Sequence, residues 1–227
     1  MIKELQKRIL TSLIILPLSF FFIIKGGNFL LFFLFVVFFI ATYELVCFFK
    51  KKETILFLDI ILVIALFSIY QLRTINVYSY LFLIWIIILV ILSDIGGYIF
   101  GRIFNWKKLS KISPNKTLSG VLGSFLLSLF SLFILEICQN FLIDRASLFS
   151  NYDVGFTFLK LKYFFLAIIL SIVCQFGDLA ISYFKRLEKI KDTGNFLPGH
   201  GGIFDRIDGL MFVTILTFIL FNFNLIP

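Results

Sequence analysis

Apolar runs long enough to cross a bilayer recur along the whole chain, and only short polar connections separate them. A hydrocarbon core of roughly 30 Å needs about 20 apolar residues in helical form. Runs near that length fall at 9–25, 28–49, 54–72, 78–100, 118–139, 161–184 and 209–226. The pattern predicts an all-α fold, a polytopic integral membrane helical bundle with about seven transmembrane helices. Pro17 lies inside the first run and is expected to kink it, a distortion that a bundle tolerates when neighbours re-satisfy the freed carbonyl. The opening MIKELQKRILTSLIILPLSFFFIIKGG has the basic start and apolar stretch of a signal peptide, but no small-residue cleavage site follows. A retained first helix is therefore expected. Without repeats or low-complexity linkers, the chain reads as a single membrane-embedded domain over 1–227, with N-terminal helices over 1–75 and a motif-bearing half over 76–227.

Charge tests the span count. Seven spans put the N-terminus and the even-numbered connections on one side of the membrane. That side collects Lys3, Lys7, Arg8, Lys50, Lys51, Lys52, Arg102, Lys107, Lys108, Lys111, Lys116, Lys185, Arg186, Lys189, Lys191 and Arg206, sixteen of the 21 basic residues. The other side holds five: Lys25, Arg73, Arg145, Lys160 and Lys162. By the positive-inside rule the larger set faces the cytoplasm, which implies a multi-pass protein of the cell (inner or plasma) membrane. Composition agrees, with 60% hydrophobic residues against roughly 45–50% in a soluble domain. The net charge of +8 would suggest nucleic acid in a soluble protein. Here anionic lipid headgroups account for it, and no nucleic-acid partner is expected. Cys47, Cys138 and Cys174 all fall in apolar runs, where a thiol is a small buried hydrophobe, so no disulfide or zinc framework is expected.

Two segments beside the cytoplasmic connections carry most of the chemistry: 93–120, SDIGGYIFGRIFNWKKLSKISPNKTLSG, and 177–209, GDLAISYFKRLEKIKDTGNFLPGHGGIFDRIDG. In the first, Ser93, Gly97 and Gly101 recur every four residues and predict a small-residue stripe for close helix packing. Asp94, Tyr98 and Arg102 share the neighbouring face. Asp94 could simply pair with Arg102 near the interface. A mid-membrane aspartate costs roughly 2.5–3.5 kcal/mol, which favours a functional role. The following basic loop could be a topology anchor, and its SPNKT stretch, with Ser113, Lys116 and Thr117, predicts a turn that could hold Lys116 against an anion.

In the second segment Asp178, Ser182, Lys185 and Lys189 are spaced to line one helical face. A carboxylate one turn from a hydroxyl and two ammonium groups suits a metal above phosphate oxygens, although snorkelling would explain the lysines alone. PGHGG then supplies Gly201 and Gly202, whose backbone N–H groups could approach phosphate, or which could form a plain turn. DRID places Asp205 and Asp208 where the last helix begins, as favourable N-terminal charges or, with Asp178, as a hard oxygen site for Mg²⁺. A second cation is left open. His200 is expected to donate a hydrogen bond or hold the loop, since a phosphate nucleophile is already ionised and needs no base.

The second segment resembles the phosphatidate cytidylyltransferase (CDP-diacylglycerol synthase) family. The likeness runs from Ser182 through Lys185-Arg186, Lys191-Asp192, Pro198, His200-Gly201-Gly202 and Asp205-Arg206 to Asp208. The first segment is similar to the family's SD…GR…SPKKT region, so the resemblance covers roughly the C-terminal 60% of the chain. Two departures each replace a carboxylate: KTLSG stands for KTWEG, giving Leu118 and Ser119, and Ile181 precedes Ser182 where the family has glutamate. The resemblance implies transfer of CMP from CTP to phosphatidate, with Asp178 and Asp205 as metal ligands and Asp208 as a supporting carboxylate. It also implies the basic residues and Ser182 near the phosphates, and membrane lipids as partners. A homodimer is left open.

Two rival readings remain at this point. A CTP-dependent polyprenol or dolichol kinase would transfer the γ-phosphate instead. An ion-coupled transporter would show polar residues at mid-membrane on several helices, whereas here they gather at one edge.

Overall fold

The structure, a computed structural model, describes residues 2–75, 79–109, 113, 116–146, 160–194, 196 and 201–225. Those residues form seven helices and no strand: α1 (Ile2–Lys25), α2 (Gly27–Phe48), α3 (Lys52–Thr74), α4 (Ser79–Phe104), α5 (Leu118–Ala146), α6 (Leu161–Leu187) and α7 (Phe204–Asn222). The expected all-α membrane bundle is what the fold shows. Five helices are long and apolar enough to span a bilayer: α2, α3, and segments Tyr80–Phe104, Leu118–Ile137 and Leu161–Leu187. The apolar part of α1, Leu13–Lys25, is shorter. Helix α7 carries Asp205, Arg206 and Asp208 in its first turns. It starts at Phe204, ahead of the apolar run at 209, because those acidic residues favour the positive end of the helix dipole and extend it. Helix α1 runs unbroken through Pro17.

The chain divides into two compact units, Met1–Ile86 with Phe176–Pro227, and Ile87–Gln175. In the first unit α2 packs on α1 and α3, and α7 packs along α3 and against α2. The inward stripe of α2 is Leu30, Leu34, Ala41, Glu44 and Leu45. Its opposite face exposes Phe29, Phe32, Phe35, Phe39, Tyr43 and Val46. An apolar exterior of that extent belongs in lipid, and the protein is a multi-pass membrane protein. Polar ties join the helices where lipid offers no alternative partner. Thr42 Oγ1 donates to Asp59 Oδ1 at 2.6 Å. Arg73 Nε and Nη2 donate to the Ile23 and Ile24 carbonyls at 2.7 and 3.0 Å, capping the C-terminus of α1 with a cation.

In the second unit the small-residue stripe of α4 meets α5. A Cβ built on Gly96 would collide with the Gly123 carbonyl oxygen, and one on Gly97 would lie 3.0 Å from Ser124 Oγ. Backbones can approach this closely only where side chains are absent. Hydroxyls then knit the seam: Ser124 Oγ donates to the Ser93 carbonyl at 2.7 Å, and the Ser93 and Ser171 hydroxyls pair at 3.0 Å.

Candidate active site

The end of α6, the connection after it and the first turn of α7 form the most polar part of the first unit. Lys185 Nζ reaches Asp205 Oδ1 at 3.0 Å, and the two side chains are 10% and 8% exposed. Asp205 Oδ2 accepts the backbone N–H of Thr193 at 2.8 Å and of Gly202 at 3.3 Å. Thr193 and Gly202 thus both donate to one carboxylate. Gly201 has φ +86, a left-handed conformation, and a Cβ there would lie 3.2 Å from Asp205 Oδ2. Glycine is required at that position for both reasons.

This arrangement changes two expectations. Lys189 does not continue the face of Asp178, Ser182 and Lys185, because α6 ends at Leu187 and Lys189 takes φ +60. Ile190 N–H donates to the Lys185 carbonyl and Lys189 N–H to the Arg186 carbonyl, both at 3.0 Å, which is a Schellman cap turning the chain away. The Gly202 N–H, expected to be open to a phosphate, is given to Asp205.

Asp178 and Ser182 are half-buried on α6, and Asp208 is half-buried on α7 with its Oδ1 accepting the Gly209 N–H at 2.8 Å. Among the described residues no group of three or more His, Cys, Asp or Glu side chains is gathered to hold a metal. The three carboxylates expected to hold one ion, Asp178, Asp205 and Asp208, are thus not gathered as a group of three among the described residues. Lys185 faces Asp205, while a Cβ on Gly177 would lie 2.6 Å from the Phe212 ring, so α6 and α7 run antiparallel side by side. The donor chemistry still suits Mg²⁺, which takes one or two carboxylates and completes its shell with water and phosphate oxygens.

Arg186, Lys191, Asp192 and Arg206 are exposed around this centre, and Arg186 Nη1 donates to the Ile190 carbonyl at 3.0 Å. His200 and Pro198 lie outside the described residues. Ile181 is fully buried, so the position where the resemblance leads one to expect a glutamate is part of the apolar packing.

The remaining sequence candidates belong to the second unit. Asp94 is exposed, and the Cys174 thiol lies 4.0 Å from its Oδ1. Arg102 Nη1 donates to Tyr98 Oη at 3.0 Å. The turn expected at Ser113 closes, with Lys116 N–H donating to the Ser113 carbonyl at 3.1 Å. Lys116 Nζ lies 3.4 Å from the Gln175 carbonyl. Thr117 is the N-cap of α5: its Oγ1 accepts the Gly120 N–H at 3.1 Å and pairs with Ser119 Oγ at 3.0 Å.

Sequence reasoning missed Glu44. It is 2% exposed near the end of α2, and its Oε1 and Oε2 accept the Ile203 and Phe204 N–H groups at 2.9 and 3.0 Å. A signal for it existed, because a carboxylate in an apolar helix is costly without a partner, the same reasoning that singles out Asp94.

Residues 53–224 match the model of the cytidylyltransferase family. The chain is similar to the phosphatidate cytidylyltransferase of Staphylococcus haemolyticus, 42% identical over 133 residues that cover 58% of this chain and 45% of that protein. It is likewise similar to the phosphatidate cytidylyltransferase of Rickettsia conorii, 37% identical over 56% of this chain and 52% of that one. The protein of the same description from Helicobacter pylori is 34% identical over 57% and 43%. The chain spans about half the length of these curated relatives. The match takes in α4, α5, α6 and α7 whole and all but the first residue of α3, and the chain belongs to the cytidylyltransferase family.

Proposed function

We propose that this protein is a phosphatidate cytidylyltransferase: it transfers CMP from CTP to phosphatidate, giving CDP-diacylglycerol and pyrophosphate. The observation that carries this reading is the Lys185–Asp205 pair inside its backbone cradle, because it gives a lipid-embedded bundle one ordered, charged end. The relatives' printed activity supports the same reading.

A phosphate oxygen of phosphatidate attacks the α-phosphorus of CTP, one P–O bond forms, and the bond to the β-phosphate oxygen breaks as pyrophosphate leaves. Asp205, with Asp178 or Asp208, would hold Mg²⁺, which when bound neutralises phosphate charge and offsets the charge on the leaving group. The protein's own part is positioning and fixed charge. Lys185 pairs with Asp205 at the end of α6. Arg186, Lys191 and Arg206 supply exposed cations around it, and Ser182 offers a hydroxyl donor on the Asp178 face. The charge bias along the chain supports a cytoplasmic site, where CTP arrives from solution and the acyl tails stay in the inner leaflet.

Purified protein given CTP, phosphatidate and Mg²⁺ is expected to form liponucleotide. Chelation with EDTA is expected to bring the rate to background, and excess Mg²⁺ to restore it. A rate that persists in EDTA would remove the metal from this account, and absence of liponucleotide under all conditions would remove the activity.

A further inference from the structure

We infer that Glu44 is a positioning residue for the reaction: its buried carboxylate caps α7 from a different helix and so fixes where Asp205 sits. This rests on the reading of Asp205 given above. Helix α7 lacks a cap of its own, since its N-cap position is Ile203, whose side chain makes no capping hydrogen bond. The first turn of any helix leaves orphan N–H groups that need an acceptor, and inside a bilayer protein water is a poor substitute. Glu44 supplies one oxygen to each of two consecutive donors, Ile203 and Phe204, across 159 and 160 residues of sequence. Asp205 is the next residue. A shift of the first turn of α7 would therefore carry Asp205 away from Lys185 and from the Thr193 N–H.

The glycines around Glu44 fit the same device. A Cβ on Gly194 would lie 2.7 Å from Glu44 Oε1, and its three nearest atoms all belong to Glu44. A Cβ on Gly202 would lie 2.6 Å from Glu44 Oε2. Two glycines of the α6–α7 connection, Gly194 and Gly202, thus press on one carboxylate. A second tie runs the other way, with Glu188 at the end of α6 accepting the Lys50 and Lys51 N–H groups, both at 3.4 Å. The α2–α3 hairpin and the segment bearing Asp205 are fastened at both ends. Glu44 lies ahead of residues 53–224, outside the part of the chain that matches the family.

The test uses the full chain in detergent or lipid and follows liponucleotide formation. Glu44→Gln keeps the volume but has only one acceptor oxygen, and its kcat is expected to fall about 10-fold with KM for CTP within about twofold of the parent. The Mg²⁺ concentration for half-maximal rate should rise, because Asp205 is less well held. Glu44→Ala is expected to lose about 100-fold in kcat. Gly194→Ala should lose a similar amount by displacing Glu44, and Gly194→Ala combined with Glu44→Ala should be no worse than Glu44→Ala alone. Parent values of kcat and Mg²⁺ dependence in Glu44→Gln, a loss confined to KM, or losses that multiply in the double variant would each overturn the inference. Failure of the unmodified protein to make liponucleotide would instead sink the functional reading. The same cycle followed by thermal unfolding would still report whether Glu44 holds the segment carrying Asp205.

Discussion

Asp205→Asn is expected to reduce liponucleotide formation by about 10³-fold, the scale of losing one preorganised group that serves the transition-state charge, here a carboxylate that would hold Mg²⁺. The change is nearly isosteric, and an amide oxygen in the place of Oδ2 can accept both backbone hydrogen bonds now made there. It removes the charge that Lys185 faces at 3.0 Å with both side chains at 10% exposure or less. A buried ammonium left without its partner costs about 3–5 kcal/mol, so thermal stability should fall as well. Stability and chemistry can then be separated. Adding Lys185→Met removes the stranded charge and is expected to recover most of the stability, because a buried pair replaced on both sides is often neutral. Activity should stay as low as in Asp205→Asn. Recovery of activity along with stability would mean that Asp205 serves only the fold.

The second large effect is structural. Gly96→Ala is expected to destabilise the protein by about 3 kcal/mol or more, the upper end for overpacking, because its methyl group meets the Gly123 carbonyl in the interior of α5. A helix carbonyl already committed to its own ladder cannot swing aside. Gly97→Ala is the matched control. Its Cβ would lie 3.0 Å from Ser124 Oγ, a rotatable hydroxyl, and the cost is nearer the worth of one hydrogen bond, about 1 kcal/mol. Unfolding of the two variants in detergent, followed by fluorescence or by loss of the monodisperse peak, checks the ranking. Equal stabilities would show that α4 and α5 are not in backbone contact at Gly96.

The helices were legible because bilayer thickness imposes a length on apolar runs, and each run from Gly27 to Leu187 stands between charged or glycine-rich connections. The stripe of Ser93, Gly97 and Gly101 was legible for a related reason, since lipid gives small residues little use except close packing. Local chemistry at the site was harder to read. The turn at Lys189 is set by a left-handed residue that is neither glycine nor asparagine, so nothing in its type announces the cap. The spacing of Asp178, Asp205 and Asp208 suggested a shared ion. Spacing along the chain does not say how α6 meets α7, and only the folded chain shows Asp205 paired with Lys185. Glu44 could be flagged as a costly carboxylate in an apolar helix, but what it holds could not be read. Its partners lie at the far end of the chain, and sequence spacing describes neighbours on one element, whereas this contact joins two.

The central claim is the transfer of CMP, and the fate of the phosphorus atoms tests it most directly. With CTP labelled separately at the α- and γ-positions, the account predicts that only the α-label enters the lipid extract, while the γ-label leaves in pyrophosphate. Lipid carrying the γ-label, with CDP released, would contradict it and identify a lipid kinase instead.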